Sequence, residues 1–385
     1  MIVTGDWLTD PGTQALCAVL TRAGHRALFV GGCVRNAVLG VPVADVDLTT
    51  DALPDMVTRL ATAAGFKVVP TGIDHGTVTV IVGGIPHEVT TFRRDVETDG
   101  RRAVVAFSDR IEEDATRRDL TMNALYADAL GQVIDPLGGL PDTLARRVRF
   151  VGDPETRLRE DYLRILRFFR FHACYGDPMG GLDAEGLAAC AALADGLARV
   201  SRERVTAELR KLLSAPDPAP AVAAMAQSGV LAQVLPGADP RALAPLVHLE
   251  GAVPPRWLRR LAVLGGDVSG LRLSRPEDRD LARLRDQIGS LHGPAALGWL
   301  LGADLATDAL LSRAAVLESP LPPHWQDDIA RGGAAPFPVT AADLMPRLSG
   351  AALGDRLQAL RARWLASDLR LTRADLLQDR PAARG

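Results

Sequence analysis

Along the first 145 residues, apolar positions gather in short runs at 27–30, 78–82 and 103–107, bounded by Gly and Asp, with helix-like spacing between them. This mixture predicts a small α+β domain. From Glu155 onward strand patterns all but vanish, and alanine- and leucine-rich helical periodicity runs to the end, broken by Pro/Gly clusters at 215–220, 251–255 and 321–323. The remainder is expected to be nearly all helix. No fixed-period repeat is present, which argues against a regular solenoid and leaves stacked helix pairs open.

Composition narrows this picture without changing it. A chain of 385 residues, 47% hydrophobic and 24% charged, is long enough for two to four packed domains, and excludes collagen-like, coiled-coil and disulfide-rich classes. Residues 1–20 lack a basic segment followed by an apolar one, and no window nears the roughly 18 apolar residues of a membrane span. A cytoplasmic protein with no membrane contact is expected. Cys17, Cys33, Cys174 and Cys190 are too far apart for a CxxC pair and read as small buried hydrophobes. The net charge of −3 argues against indiscriminate coating of nucleic acid. Only Lys67 and Lys211 are lysines among the 44 basic residues, and guanidinium forks suit phosphates and base edges.

Two short patterns carry candidate chemistry. The segment from Leu28 to Arg35 reads as a strand, a Gly31-Gly32 turn and a helix starting near Cys33. A Gly pair lets backbone approach a phosphate, the helix N-terminus offers free N–H groups, and Arg35 adds a fork of donors. Further on, Asp45 and Asp47 on a strand would project from one face about 7 Å apart. A hard divalent cation such as Mg²⁺ would suit two carboxylates facing one way. Taken singly, the first pattern is also a tight turn and the second a pair of surface aspartates.

In order, Gly31-Gly32-x-x-Arg35 and Asp45-x-Asp47 resemble the signature of the class II tRNA nucleotidyltransferases. These are a branch of the polymerase-β-like nucleotidyltransferase superfamily that includes CCA-adding enzymes and bacterial poly(A) polymerases. The family motif usually has Asp where this chain has Asn36, which puts a supporting contact near Arg35 in question. The resemblance continues through Arg117-Arg118-Asp119 with Thr121-Met-Asn-Ala124, and through a Pro/Gly hinge at 135–142. It implies Arg118 at the triphosphate, and Asp119 at the ribose or orienting the arginine. Glu160-Asp161-x-x-Arg164 resembles the nucleotide-selecting motif. On a helix Asp161 and Arg164 would be i,i+3 neighbours, with Arg167 and Arg170 continuing at the same spacing; the plain alternative is an amphipathic helix with a salt bridge.

Cytosine and adenine present an amino donor beside a ring-nitrogen acceptor, whereas uracil and guanine present a carbonyl beside an N–H. A carboxylate and an arginine would therefore accept C and A and reject U and G. Asp74-His-Gly-Thr-Val-Thr-Val80 and the stretch Glu88 to Arg93 look like the CCA-adding branch, with Glu88 either a third metal carboxylate or an ordinary exposed Glu. Residues 94–102 resemble the mobile loop of enzymes that add the final A. Residues 201–213 resemble a later helical motif of structural character, and residues 349–385, with seven Arg against four Asp, could lie along RNA or be a solvated face.

The resemblance implies a nucleotidyltransferase head (1–145), followed by an all-helical neck (146–215), body (216–305) and tail (306–385). It implies Mg²⁺ as cofactor, with Asp45 and Asp47 as metal ligands and catalytic residues. Gly31, Gly32, Arg35, Arg118, Asp119, Asp161, Arg164, Arg167 and Arg170 would bind nucleotide. The partners implied are tRNA, CTP and ATP, with no obligate protein partner. The alternatives are a partial CC-adding or A-adding enzyme and a non-catalytic RNA-binding relative.

Overall fold

A computed structural model describes residues 1–70, 72–73, 76–99 and 102–378, with backbone alone at 95–99 and 102–105. Asp74, His75, Gly100 and Arg101, which belong to two of the motifs above, and residues 379–385 of the basic tail lie outside the described residues. The chain divides into two compact units, residues 1–212 with 220–234, and residues 213–219 with 235–385.

The first unit opens with α1 (Asp6–Thr9) and α2 (Pro11–Arg22), the latter started by Asp10, whose carboxylate takes the Thr13 N–H at 2.8 Å, and by Pro11 at its first turn. There follow β1 (Leu28–Val30), α3 (Gly32–Leu39), β2 (Asp47–Thr50), α4 (Pro54–Ala63), β3 (Lys67–Val69), β4 (Thr77–Val82) and β5 (Ile85–Thr91). Next come a hairpin of β6 (Arg93–Asp99) and β7 (Arg102–Phe107), α5 (Ile111–Thr116), β8 (Tyr126–Ala127), β9 (Val133–Ile134) and α6 (Leu140–Leu144). The helices α7 (Pro154–Glu160), α8 (Leu163–Tyr175), α9 (Ala184–Ala192), α10 (Arg202–Leu213), α11 (Ala219–Gln227) and α12 (Val230–Val234) follow.

Seven strands form one mixed sheet in the order β3-β4-β5-β2-β1-β8-β9, parallel only between β2 and β5. Phe29 of β1 joins Leu16, Leu20, Leu48, Val57, Val80 and Val89 in one core, while its neighbours Leu28 and Val30 join Phe92, Ile111 and Tyr126 in another. Burial on both faces explains why β1 reads as an unbroken apolar run. On β4 exposure alternates, with Val78, Val80 and Val82 buried, as a strand with one core face requires. The α+β head followed by helices expected from the sequence is thus present.

The second unit holds α13 (Leu243–Glu250), α14 (Trp257–Leu264), α15 (Arg275–Ile288), α16 (Pro294–Leu301), α17 (Ala303–Val316), α18 (Trp325–Ala334), α19 (Gly350–Ala366) and α20 (Arg373–Leu377). Its centre contains charges. Arg259 and Arg260, both fully buried, share Glu250, and Arg259 also reaches Asp308 at 2.9 Å. Arg260 donates in addition to the carbonyls of Leu213, Ala215 and Pro216, which tie the 213–219 segment into this unit. Among the described residues no helix is long and apolar enough to cross a membrane.

Candidate active site

The turn between β1 and α3 places Gly31 at φ +70°, a conformation that favours glycine. A Cβ there would stand 3.4 Å from Arg118 Nη1 and 3.6 Å from the Asn123 carbonyl, so the turn rests directly against Arg118. No side chain caps α3, which leaves its first N–H groups available at the turn. Gly32 starts this helix beside Arg35. Arg35 itself is only 6% exposed. Its Nη1 donates to Asn123 Oδ1 at 2.6 Å, and Nε and Nη2 donate to Asn36 Oδ1 at 3.1 and 2.8 Å. The fork expected to reach a phosphate is therefore turned into the protein. Asn36 supplies the supporting contact that its departure from Asp put in question, and its amide also donates to the Pro42 carbonyl at 2.7 Å, which a carboxylate could not do.

The acidic pair differs from the sequence reading in one respect. Strand β2 begins at Asp47, and Asp45 lies ahead of it in the approach loop, so the two do not share a strand. A different geometry unites the acids. Asp47 is in parallel register with Glu88 of β5, which puts both side chains on one face, and Asp45, Asp47 and Glu88 all line one cavity of about 790 Å³. No hydrogen bond or ion pair among the described residues engages these three carboxylates. Asp47 opens to the cavity, yet loss of bulk water, then the Glu88 charge and more weakly Asp45, raise its pKa against the pull of Arg118. Among the described residues no three acidic, His or Cys groups converge into a finished metal cage. His87, beside Glu88, is 3% exposed with neither ring nitrogen partnered; burial lowers its pKa, opposed by Asp10.

Behind the turn, buried Asp114 on α5 accepts from Arg117 Nε at 3.2 Å, Arg118 Nη2 at 3.0 Å and the Tyr126 hydroxyl at 2.7 Å. Arg118 is thus held from behind and faces Gly31. Asp119 Oδ1 takes the Leu120 N–H and the Asn123 amide, and Oδ2 takes Arg167 Nε at 2.6 Å. Burial works against its charge, but Arg167, Asn123 and Arg164 outweigh that and hold its pKa at about 2. Asp119 thus holds Arg167 of α8, whereas Arg118 is held by Asp114.

The selecting motif does not lie on one helix. Helix α7 ends at Glu160, Asp161 is extended (φ −157°, ψ 104°), and α8 starts at Leu163. The Asp161 carboxylate takes the Leu163 N–H at 3.1 Å, a local bond that competes with helix continuation and corrects the i,i+3 expectation. Its other oxygen accepts from Arg204 of α10 at 2.6 Å. Arg164 instead binds Glu160, the Arg157 carbonyl at 2.9 Å and the Arg117 carbonyl at 3.5 Å. Along α8, Arg167 holds Asp119, and Arg170 donates to Glu208 of α10 at 2.6 Å. The Phe171 ring gathers three guanidiniums, of Arg170, Arg35 and Arg167, at 4.4, 5.1 and 5.2 Å, and Tyr175 carries Arg35 at 4.0 Å. Arg204 and Glu208 were missed as site residues. Their opposite charges at i,i+4 on α10 were visible, but their partners are 43 and 38 residues away.

A family described as "Poly A polymerase head domain" matches residues 27–149, and one described as "Probable RNA and SrmB- binding site of polymerase A" matches 182–241. A crystal structure of the Bacillus stearothermophilus CCA-adding enzyme in complex with CTP superposes with a TM-score of 0.72 at 30% identity, over 93% of each chain. The chain belongs to the CCA-adding enzyme family. Within that family, the CCA-adding enzyme of Geobacillus thermodenitrificans is 40% identical over 259 residues, 66% of this chain and 59% of that protein. The human mitochondrial CCA tRNA nucleotidyltransferase 1 is 40% identical over 207 residues, 54% of this chain and 48% of that protein. In sequence, then, the match spans about half to three-fifths of these curated relatives. A Thermotoga maritima CCA-adding enzyme complexed with tRNA shares the fold at 18% identity, with a TM-score of 0.67.

Proposed function

We propose that this protein adds C, C and A to the 3′ end of tRNA from CTP and ATP, releasing pyrophosphate, and works in the cytoplasm. The observation that carries the reading is the set of unpartnered carboxylates, Asp45, Asp47 and Glu88, at one cavity, in a chain that follows a CTP-bound CCA-adding enzyme over 93% of its length.

The donor chemistry fits a hard divalent cation. All three groups are carboxylates, and burial, followed by the Glu88 charge, already pushes Asp47 away from its charged form. Asp45 and Asp47 would hold Mg²⁺, with Glu88 at the same mouth. When bound, the cation would acidify the 3′-hydroxyl of the RNA and offset charge on the phosphates. The open N–H groups of α3, the Gly31 turn and the braced Arg118 would orient the triphosphate. Asp161 would accept the amino group of cytosine or adenine and Arg164 would donate to the ring nitrogen. For this, base and internal partners must trade places: Arg204 yields Asp161 and Glu160 yields Arg164. Arg167, Arg170 and Arg35, fixed by Asp119, Glu208 and the two Asn residues, would hold the wall of that site. We also propose the four-part division into head, neck, body and tail, and residues 94–102, which lie largely in strand β6 rather than in the loop expected from sequence, as the element that reshapes the base pocket before A addition.

The test offers the purified protein a tRNA transcript lacking its 3′ end, with CTP, ATP or both, and sequences the products. Complete CCA is expected; CC alone or A alone would assign a partial enzyme, and no addition a non-catalytic relative.

A further inference from the structure

The function proposed above uses one end of Asn36, the oxygen that holds Arg35. Its other end is engaged as well. Oδ1 accepts from Nε and Nη2 of Arg35 at 3.1 and 2.8 Å, while Nδ2 donates to the Pro42 carbonyl at 2.7 Å. Arg35 is itself held by Asn123 and stacked on Tyr175, so the amide oxygen stays on the guanidinium and the amide nitrogen faces the chain beyond α3.

That stretch, residues 40–46, joins α3 to β2 and carries Asp45. It starts as an ordinary helix end: Gly40 is left-handed at φ +66°, and the Val41 N–H returns to the Asn36 carbonyl at 2.9 Å. The backbone cap stops there. The Asn36 side chain extends the hold by one residue. With φ of Pro42 set by its ring, the bond at its carbonyl fixes the remaining torsion of that residue, three positions ahead of Asp45. Beyond it Val43 and Val46 lean on the core of the first unit, and among the described residues no other side chain hydrogen-bonds to 40–46. A carboxylate at position 36 could keep the guanidinium but would set an oxygen against the Pro42 carbonyl. Serving both sides takes an acceptor and a donor on one short side chain.

We infer that Asn36 is a positioning residue for Asp45: it latches the 40–46 loop to α3 and so keeps that carboxylate beside Asp47, where one divalent cation can use both. This rests on the metal assignment proposed above. The sign of the effect sets the latch apart from general electrostatics. Asn36→Asp adds a negative charge to the unit, which by itself would tighten a cation, and gives buried Arg35 an ion pair, which would hold or raise the melting temperature. The latch demands weaker metal binding instead. Mn²⁺ alone is titrated into the full chain, followed by electron paramagnetic resonance, for wild type, Asn36→Asp and Asn36→Ala. Both variants should bind Mn²⁺ about three- to tenfold more weakly, Asp at least as weakly as Ala. In addition assays the Mg²⁺ needed for half-maximal rate should rise alike, with kcat recovering at saturating Mg²⁺. In an Asp45→Ala background, Asn36→Asp should cause no further loss of Mn²⁺ affinity. Melting temperatures identify a misfolded variant, in which case the other decides. Unchanged or tighter Mn²⁺ binding by Asn36→Asp would overturn the inference, as would an equal loss when Asp45 is absent. Wild type whose Mn²⁺ affinity depends on Asn36 but which adds no nucleotide would refute the function and leave the latch standing; active wild type with Mn²⁺ affinity indifferent to Asn36 would do the reverse.

Discussion

The two charged regions of the first unit are built on opposite plans. At the mouth of β2 and β5, Asp45, Asp47 and Glu88 line one cavity with no ion-pair partner among the described residues, and Asp47 is pushed away from its charged form. Along α8, each of Arg164, Arg167 and Arg170 already has an internal acceptor: Glu160, Asp119 and Glu208. In the function proposed above, a cation would find its affinity in the first, uncompensated region. The second is complete in itself, and in the proposed function nucleotide would enter it only by exchange of partners.

The largest break in this contrast comes from the incomplete side. Asp47→Ala, or Asp45→Ala, should lower nucleotide addition below detection while leaving the melting temperature equal or higher, since mutual repulsion is removed along with the ligand. Retained C and A addition by either variant would contradict the metal assignment.

On the complete side, removing one partner should cost stability as well as activity. Asp119→Asn leaves Arg167 without its carboxylate, and a lost charge-assisted hydrogen bond of this kind costs about 2 to 3 kcal/mol in urea unfolding. The same residue gives a pH signature. Held at about 2 against an ordinary 3.8, Asp119 binds its proton more weakly folded than unfolded. Its stabilising contribution is therefore full above the ordinary value and disappears as pH falls towards 2. Wild type should lose that increment across the window and Asp119→Asn should not; parallel acid curves for the two proteins would show that the pair carries no such linkage.

Base choice sharpens the contrast where exchange occurs. Asp161→Ala should cut the preference for CTP over UTP in kcat/KM by roughly one to two powers of ten, the equivalent of about 1.5 to 3 kcal/mol, because Arg164 alone can also donate to a carbonyl. A lowered melting temperature with unchanged preference would make Asp161 merely the partner of Arg204. The smallest effect belongs to a pair with neither burial nor site: Arg159 and Glu155, 2.7 Å apart and both about half exposed. Arg159→Ala should shift stability by less than about 0.5 kcal/mol and leave kinetics alone.

What the sequence could show follows from distance along the chain. The β1 run, the Gly31 turn and the start of α3 were legible because propensity and conformation act within a few residues, and the α+β to helical transition because periodicity accumulates. The Asp47 to Glu88 register was not, since strand pairing across 41 residues leaves no mark on either segment. Nor was the break at Asp161. The helical pattern runs straight through 157–171, and only the capture of the Leu163 N–H by a side chain, together with Arg204 from α10, decides otherwise. Arg35 shows the same limit from another angle: a fork beside a glycine turn suits a phosphate, but Asn36 and Asn123 are nearer.

The path of the chain between its two units constrains how the protein can be taken apart. It enters the second unit at 213–219, returns for α11 and α12, and leaves again at 235. A protein cut after Leu212 would strip the first unit of residues 220–234, and one cut after Val234 would strip the second of the carbonyls that Arg260 grips. Recombination among relatives at this boundary therefore has no clean joint. A swapped C-terminal half must bring its own 213–219 together with the Arg260 that grips it, and must supply a 220–234 that packs on the first unit.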